Sequence, residues 1–175
     1  GVASFLQQKY GFQTLVCEEP LSELNYHFIG ETKPKLALLQ LSKDNPQRWN
    51  FSFQISMYLL RLKKLNSLLN FARSQTSLLG PTVIVCERSV KEDICIFGEM
   101  AEMSDLERRT YKQLTFSTTD EPQLFPNERE SVVYLRASPS LCKERMQNRS
   151  RPEEKSVMFD DTYFSTVCTR YDKFF

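Results

Sequence analysis

The chain has 175 residues, of which 41% are apolar and 26% are charged, the proportions of an ordinary globular protein. Its 23 basic and 22 acidic residues leave a net charge of +1, which excludes a strong overall field that would attract nucleic acid or a membrane surface. We therefore expect a single domain over residues 1–175, in which anions are bound only by local clusters of basic side chains.

The five cysteines are odd in number and widely spaced, and no two of them form a Cys-x-x-Cys motif. This pattern argues against a disulfide framework or a zinc site and favours reduced thiols in an intracellular protein. The cytoplasm is the simplest location, with the mitochondrion and the nucleus as alternatives. His27 is the sole histidine. Since no nucleophile motif accompanies it, we interpret it as a surface or linker residue. No apolar run is long enough to predict a transmembrane helix.

The first half of the chain is predicted to hold one short strand among helices. Residues 3–10 form a predicted helix that ends at Gly11, which suits the C′ position. A strand is expected at 13–17 and a helix at 34–43. The longest predicted element is an amphipathic helix at 51–73, whose apolar residues recur mostly at spacings of three and four: Phe51, Ile55, Tyr58, Leu59, Leu62, Leu65 and Leu69.

The second half is predicted to hold two strands. Residues 82–86 and 131–135 are rich in β-branched residues, which is typical of strands buried on both faces. Residues 89–117 are predicted as helix in two pieces, a further helix begins at Pro139 after a Ser N-cap, and the last helix is expected at 159–175.

Strands that alternate with helices predict an α/β fold with a parallel sheet. Ligands of such sheets bind beyond the carboxyl ends of the strands. Glu19 follows the first predicted strand, Glu87 and Arg88 follow the second, and a cluster of arginines lies one helix after the third. Glu19 is either a general base or a turn acid before proline, and the Glu87–Arg88 pair is either functional or a salt-bridged strand end.

Three arginines lie close together near the end of the helix that begins at Pro139: Arg145, Arg149 and Arg151. Guanidinium groups form paired hydrogen bonds with phosphate oxygens, so the cluster could close over a polyphosphate. The alternative is a solvated helix face with neighbouring glutamates as partners.

Other polar and aromatic side chains could bind a flat, polar ligand. Gln54 and Arg61 share a face of the long predicted helix and could contact the edge of a base, or they lie on its solvent side. Asp93 is one turn into the next helix, where it could equally be exposed. Phe53 and Phe97 could stack on a flat ring or pack in the core.

Together, NPQRWNFSFQ (45–54), ERSVKEDICIF (87–97) and YLRASPSLCKERMQNRSRPEE (134–154) resemble, in order and spacing, the deoxynucleoside kinases of the deoxycytidine and deoxyguanosine kinase type. The resemblance runs over nearly the whole chain. It implies a three-layer fold of the P-loop kinase type and the transfer of a phosphoryl group from ATP, with Mg²⁺, to the 5′-hydroxyl of a deoxynucleoside.

The resemblance also implies catalytic roles. Glu19 matches the carboxylate that accepts the 5′-hydroxyl proton. Glu87 matches the acidic residue near magnesium, which is sometimes assigned as the base instead. Arg88 matches the residue beside the 5′-hydroxyl and the transferred phosphoryl group. The lid that closes on the phosphates would consist of Arg145, Arg149 and Arg151.

Six matched positions would bind the nucleoside: Phe53, Gln54, Arg61, Asp93, Phe97 and Glu154. By resemblance, the two phenylalanines would enclose the base and the glutamine would bond its edge. The arginine and aspartate would favour cytosine or a purine over thymine, although thymidine stays an alternative. The glutamate would hold the sugar 3′-hydroxyl.

The chain departs from the family pattern in several places. The glycine-rich phosphate loop is absent, with Val2 and Ala3 where its lysine and magnesium-binding hydroxyl would stand. Lys43 replaces a tyrosine that contacts the sugar, and Ile94 replaces an arginine. The family's last strand and helix are also absent. We therefore expect a fold that is incomplete at its termini, and the start at Gly1 favours a fragment over a naturally degenerate form.

Two other functions stay open at this point. The chain could be a non-catalytic kinase-like module that binds a ligand or a partner subunit, or a kinase of nucleoside monophosphates. Since members of the family often dimerise through helices near the long one, a homodimer is a further expectation, although the leucine-rich face of 51–73 could equally be core.

Overall fold

The computed structural model describes residues 2–21, 23–24, 38–79, 82–119, 131–149 and 160–175. Its elements in chain order are α1 (Val2–Tyr10), β1 (Gln13–Cys17), α2 (Leu38–Asp44), α3 (Pro46–Leu79), β2 (Thr82–Cys86), a helical turn (Val90–Glu92) that continues as a π-helix (Asp93–Gly98), α4 (Asp105–Thr119), α5 (Pro139–Arg149) and α6 (Asp161–Phe174). The helices predicted at 3–10 and 159–175 are confirmed to within two residues. The described part of the helix predicted at 34–43 is also helical, whereas His27 lies outside the described residues.

Helix α1 ends as predicted, at a glycine. Gly11 has a φ of +70°, and its N–H donates to the carbonyl of Gln7 at 3.0 Å. A residue without a Cβ atom adopts this left-handed conformation at little cost, which is why glycine suits the position.

Strands β1 and β2 pair in parallel, with Gln13 opposite Thr82 and Cys17 opposite Cys86. Helices α2 and α3 lie in the connection between them, and α3 contacts both strands. The predicted α/β class, a parallel sheet flanked by helices, is therefore confirmed. The burial predicted for β2 is wrong, because its residues are half-buried and Cys86 is exposed. The described sheet has two strands, so one edge of each strand is not covered by a described neighbour.

The strand predicted at 131–135 is wrong. These residues are not in a ladder, and the side chains of Val133 and Leu135 are 78% and 81% exposed. Tyr134 stacks on Tyr171 of α6, with ring centroids 5.9 Å apart, and its hydroxyl donates to Asp172 Oδ1 at 3.0 Å. A β-branched run forms a strand only where a neighbouring strand accepts its backbone hydrogen bonds. Among the described residues, Tyr134 of this run packs against helix α6 and not against a strand.

Helix α3 has 34 residues and extends beyond the predicted range of 51–73 at both ends. The side chain of Asn45 accepts a hydrogen bond from the N–H of Arg48 at 3.2 Å, which caps the start. Pro46 follows at the first helical position, where no N–H donor is needed. Although α3 is long, neither it nor another helix of the described ranges combines the length and apolar content that crossing a bilayer requires.

Two apolar clusters pack against different faces of α3. Met57 and Leu60 pack with Leu24 and Leu38, whereas Tyr58 packs with Val90 and Ile94. The single predicted stripe is therefore partly wrong: it omits Met57 and Leu60, and it includes Leu59, which is 53% exposed. A helix with a neighbour on each of two sides buries two stripes. The homodimer near this helix stays a prediction.

The helical segment at 90–98 begins with a capping box. The Ser89 hydroxyl accepts from the N–H of Glu92, and the Glu92 carboxylate accepts from the N–H of Ser89. Helix α4 follows after a short connection, which confirms the two helical pieces predicted at 89–117. The π-helical turn places Gly98 against the ring of Tyr111, so that a Cβ atom at Gly98 would lie 2.5 Å from Tyr111 Cε1.

The Gly98→Ala substitution is expected to destabilise the domain by about 1–3 kcal/mol, because the Tyr111 ring is buried and cannot move aside without disturbing the core. Urea denaturation monitored by circular dichroism would measure the loss. Gln113→Ala, on an exposed position of α4, is the control and should change stability by less than about 0.5 kcal/mol. A loss that small in Gly98→Ala would contradict the close contact.

Candidate active site

Polar side chains from the ends of both strands meet at one edge of the sheet, as predicted. Glu19 follows β1 by two residues, and Glu87 and Arg88 directly follow β2. Arg88 Nη1 lies 2.6 Å from Glu19 Oε1, and the Glu19 side chain is only 8% exposed. The parallel register carries both strand ends to the same level, which brings residues 69 positions apart into contact.

Arg61 of α3 extends this group into the interior. Its Nε donates to Asp93 Oδ2 at 2.6 Å, its Nη1 donates to the carbonyl of Glu87 at 2.8 Å, and its Nη2 lies 3.9 Å from Glu19 Oε1. Arg61 and Asp93 are 2% and 3% exposed. The interpretation of either residue as solvent-exposed is therefore wrong. Glu87 contributes its backbone carbonyl to this group.

Burial opposes the charge of Asp93. Desolvation raises the pKa of Asp93, and the guanidinium of Arg61 acts in the opposite direction through its charge and its hydrogen bond. The Nη2 atom of Arg61 is buried and makes no hydrogen bond within the described residues. The group thus contains a buried cation whose Nη2 atom lies 3.9 Å from Glu19 Oε1 and has no hydrogen-bond partner among the described residues.

The backbone of Arg88 is strained. Its φ of 69° is in the left-handed region, which a side chain with a Cβ atom rarely occupies. The guanidinium lies over the ring of Phe97, 4.5 Å from its centroid. The side chain of Arg88 is 37% exposed, so this strained turn presents a cation to solvent beside the carboxylate of Glu19. Strain of this kind is concentrated at functional sites.

Arg88→Gly and Arg88→Ala are expected to differ in stability, with the glycine variant about 1 kcal/mol more stable. Both variants lose the ion pair with Glu19, but only alanine retains the cost of the left-handed backbone. Chemical denaturation of the two variants side by side would measure the difference. An alanine variant that is as stable as the glycine variant would show that this backbone conformation carries no strain.

The aromatic candidates lie in different surroundings. Phe53 packs against the cluster of Met57 and Leu60. Phe97 instead contacts the guanidinium of Arg88 and forms a T-shaped pair with Tyr171, with ring centroids 6.3 Å apart. Gln54 is half-buried on α3. Their predicted contacts with a base stay predictions.

The predicted lid residues fall partly outside the described residues. Arg145 and Arg149 lie on α5 and are exposed. Arg151 and Glu154 are not among the described residues, so their predicted places stay untested. Ile94, where the family pattern has an arginine, is 3% exposed and packs with Tyr58 and Val90.

Tyr171 was not predicted from the sequence. It lies on α6, where its ring packs in a T-shaped arrangement with the ring of Phe97. Its side chain forms a hydrogen bond with Glu92, and burial raises its pKa. No motif marks this tyrosine, and it is 74 positions from Phe97 along the chain. Only the packing of α6 against the segment at 90–98 brings it to the site.

The chain is similar to known nucleoside kinases. It is 29% identical over 161 residues to a probable deoxycytidine kinase of Fowlpox virus (strain NVSL), which covers 87% of this chain and 63% of that protein. It is 27% identical over 161 residues to the mitochondrial deoxyguanosine kinase of Xenopus laevis, which covers 88% of this chain and 58% of that protein. The chain thus spans about three fifths of the length of these two relatives.

The fold is shared with a solved structure of deoxyadenosine kinase from M. mycoides with the products dCMP and a flexible dCDP bound. The TM-score is 0.66 at 20% sequence identity, covering 99% of this chain and 75% of that one. A second structure of that enzyme, with bound dATP, gives a TM-score of 0.60. The deoxynucleoside kinase family model matches residues 1–175, and the chain therefore belongs to the deoxynucleoside kinase family.

Proposed function

We propose that the protein transfers the γ-phosphoryl group of ATP to the 5′-hydroxyl of a deoxynucleoside, with deoxycytidine or a purine deoxynucleoside preferred. The observation that carries the proposal is the connected group of Glu19, Arg88, Arg61 and Asp93 at the carboxyl edge of the parallel sheet. Phosphoryl transfer needs chiefly positioning and cations that balance phosphate charge, and this group offers two carboxylates and two guanidiniums at one place.

Glu19 is the proposed general base. Its carboxylate is oriented by the hydrogen bond from Arg88 at 2.6 Å, and an acceptor that is held in place can receive a proton from a hydroxyl bound beside it. Glu87 is the alternative base, and it is exposed at the same edge. The contact between Glu19 and Arg61 favours Glu19 over Glu87, because it places the proposed general base beside the residue that would bind the nucleobase.

Arg88 is proposed to neutralise charge on the transferred phosphoryl group, and the exposed Arg145 and Arg149 of α5, with Arg151, to bind the phosphates of ATP. Mg²⁺ would supply further neutralisation between the phosphates. It is usually held by one or two carboxylates and by the phosphates themselves. The exposed carboxylate of Glu87 beside Arg88 fits that requirement.

Arg61 and Asp93 are proposed to bind the base. Arg61 and Asp93 form a buried ion pair at 2.6 Å. The Nη2 atom of Arg61, which has no hydrogen-bond partner among the described residues, lies near the carboxylate of Glu19. Such a donor suits the carbonyl of cytosine or the acceptor nitrogen of a purine. Phe53, Gln54 and Phe97 would complete the base site, and Glu154 would hold the 3′-hydroxyl.

The test is a phosphoryl-transfer assay on the product of the complete reading frame that encodes this chain. Labelled ATP and Mg²⁺ are supplied with deoxycytidine, deoxyguanosine, deoxyadenosine or thymidine, and separately with deoxycytidine monophosphate. We expect transfer to the nucleosides, with thymidine the poorest. Transfer to the monophosphate alone would instead identify a monophosphate kinase.

A second candidate is a non-catalytic module, because by resemblance Val2 and Ala3 would stand at the positions of the phosphate-loop lysine and hydroxyl. In this structure they begin helix α1, where Val2 is 58% exposed. Calorimetry with deoxycytidine and with ATP·Mg²⁺ separates the two functions. Nucleoside binding without ATP binding or transfer would support the module, and binding of neither ligand would overturn both proposals.

A further inference from the structure

Two cysteines form the last cross-strand pair of the sheet. Cys17 ends β1 and Cys86 ends β2, and they are direct partners in the parallel register. Side chains of paired residues in a parallel ladder point to the same face of the sheet. The two thiols accordingly form a side-chain hydrogen bond with each other.

The spacing of paired strands is compatible with a disulfide between Cys17 and Cys86. Neighbouring strands lie about 4.7–4.9 Å apart, and bridged cysteines have Cα atoms about 4.4–6.8 Å apart. Both residues end their strands. The backbone can therefore adjust to the dihedral angle of a disulfide without breaking hydrogen bonds in the middle of the ladder.

The two thiols differ in their access to solvent. Cys86 is exposed, whereas Cys17 is 2% exposed. A small oxidant therefore reaches Cys86 before it reaches Cys17. The buried thiol of Cys17 lies within hydrogen-bonding distance of Cys86 and can react with it once it is oxidised. An exposed thiol next to a second, resolving thiol is the arrangement of redox-responsive cysteine pairs.

We propose that Cys17 and Cys86 are a redox site that a hydroperoxide converts into a disulfide. The Cys86 thiolate attacks the peroxide oxygen, which breaks the O–O bond, gives a sulfenic acid on Cys86 and releases an alcohol or water. The Cys17 thiolate then attacks the Cys86 sulfur and expels hydroxide, and the S–S bond forms. Two thiols are oxidised, and one peroxide is reduced.

The bridge would join the two strand ends that carry Glu19 on one side and Glu87 and Arg88 on the other. Its formation is independent of the proposed kinase function, because it requires only the observed pairing of the strands. A thiol reductant such as dithiothreitol reverses it. The redox site therefore exists whether or not the protein is catalytically active.

The test uses the 175-residue chain in which Cys95, Cys142 and Cys168 are replaced by Ser. This leaves only the pair in question and removes a second thiol contact, between Cys142 and Cys168. The variant is treated with equimolar hydrogen peroxide, denatured, alkylated with N-ethylmaleimide and examined by intact-mass and peptide mass spectrometry. Folding is verified by circular dichroism, and if the variant does not fold, peptide mapping of the unmodified chain gives the same readout.

We expect both thiols to become resistant to alkylation together, with the loss of two hydrogens, and dithiothreitol to restore them. Bridging should be at least about tenfold faster in the folded chain than in urea, because only the fold holds the two sulfurs together. Added Cys17→Ser should leave Cys86 as a sulfenic or sulfinic acid. The proposal is overturned if Cys86 is overoxidised while Cys17 stays alkylatable, or if bridging is equally fast in urea.

Discussion

Arg61→Met is expected to lower the free energy of unfolding by about 3–5 kcal/mol. The substitution removes the guanidinium that lies 2.6 Å from Asp93 Oδ2, and it leaves a carboxylate that is 3% exposed without its main cationic partner. It also removes the donor that satisfies the carbonyl of Glu87. The methionine fills a similar volume, so the loss reports the uncompensated charge rather than a cavity. Urea denaturation monitored by circular dichroism measures it.

Two further variants identify the cause of that loss. Arg61→Met combined with Asp93→Asn should recover part of the stability, because the buried charge is gone. Lys64→Met is the matched control on the same helix. Its ion pair with Glu23, at 3.4 Å, is partly exposed, and its loss should cost less than about 1 kcal/mol. Equal losses in Arg61→Met and Lys64→Met would mean that burial of the Arg61–Asp93 pair does not determine stability.

Glu19→Gln is expected to reduce kcat for phosphoryl transfer by about 10²–10⁴-fold, since an amide of the same shape cannot accept the proton of the 5′-hydroxyl. The variant is made in the product of the complete reading frame and assayed with ATP and deoxycytidine. Deoxycytidine affinity, measured by calorimetry, should change much less than kcat. A loss confined to KM would assign Glu19 to binding instead of proton transfer.

The neighbouring carboxylate provides the control. Glu18 is exposed, and Glu18→Gln changes the net charge of the same turn by the same amount, so it should leave kcat nearly unchanged. If Glu19→Gln retains full activity, Glu19 is not the base, and Glu87→Gln becomes the decisive variant. A large decrease in both Glu19→Gln and Glu18→Gln would indicate a general electrostatic effect of this turn.

Several features could be predicted from the sequence because they depend on local chemistry. The strands at 13–17 and 82–86 and the glycine that ends α1 follow from β-branched content and backbone freedom. Parallel pairing followed from the alternation of strands and helices. This pairing predicts that Glu19 and Arg88 lie at the same edge of the sheet, where the structure shows them in contact.

Other features depended on neighbours distant in sequence. The apolar run at 131–135 has strand composition but forms no strand, and Val132, Val133 and Leu135 are exposed. A strand requires a partner that its own residues cannot specify. Helix α3 buries two stripes since it has neighbours on two sides, and one of those stripes includes Arg61.

Patterns within single segments were enough to predict the family, the strands at 13–17 and 82–86 and the polar residues that follow them. Contacts between elements were needed to find the buried ion pair of Arg61 and Asp93 beside Glu19, the packing of Tyr171 on Phe97 and the pairing of Cys17 with Cys86. Burial and pairing arise from contacts between elements, whereas propensity and motif spacing belong to single segments.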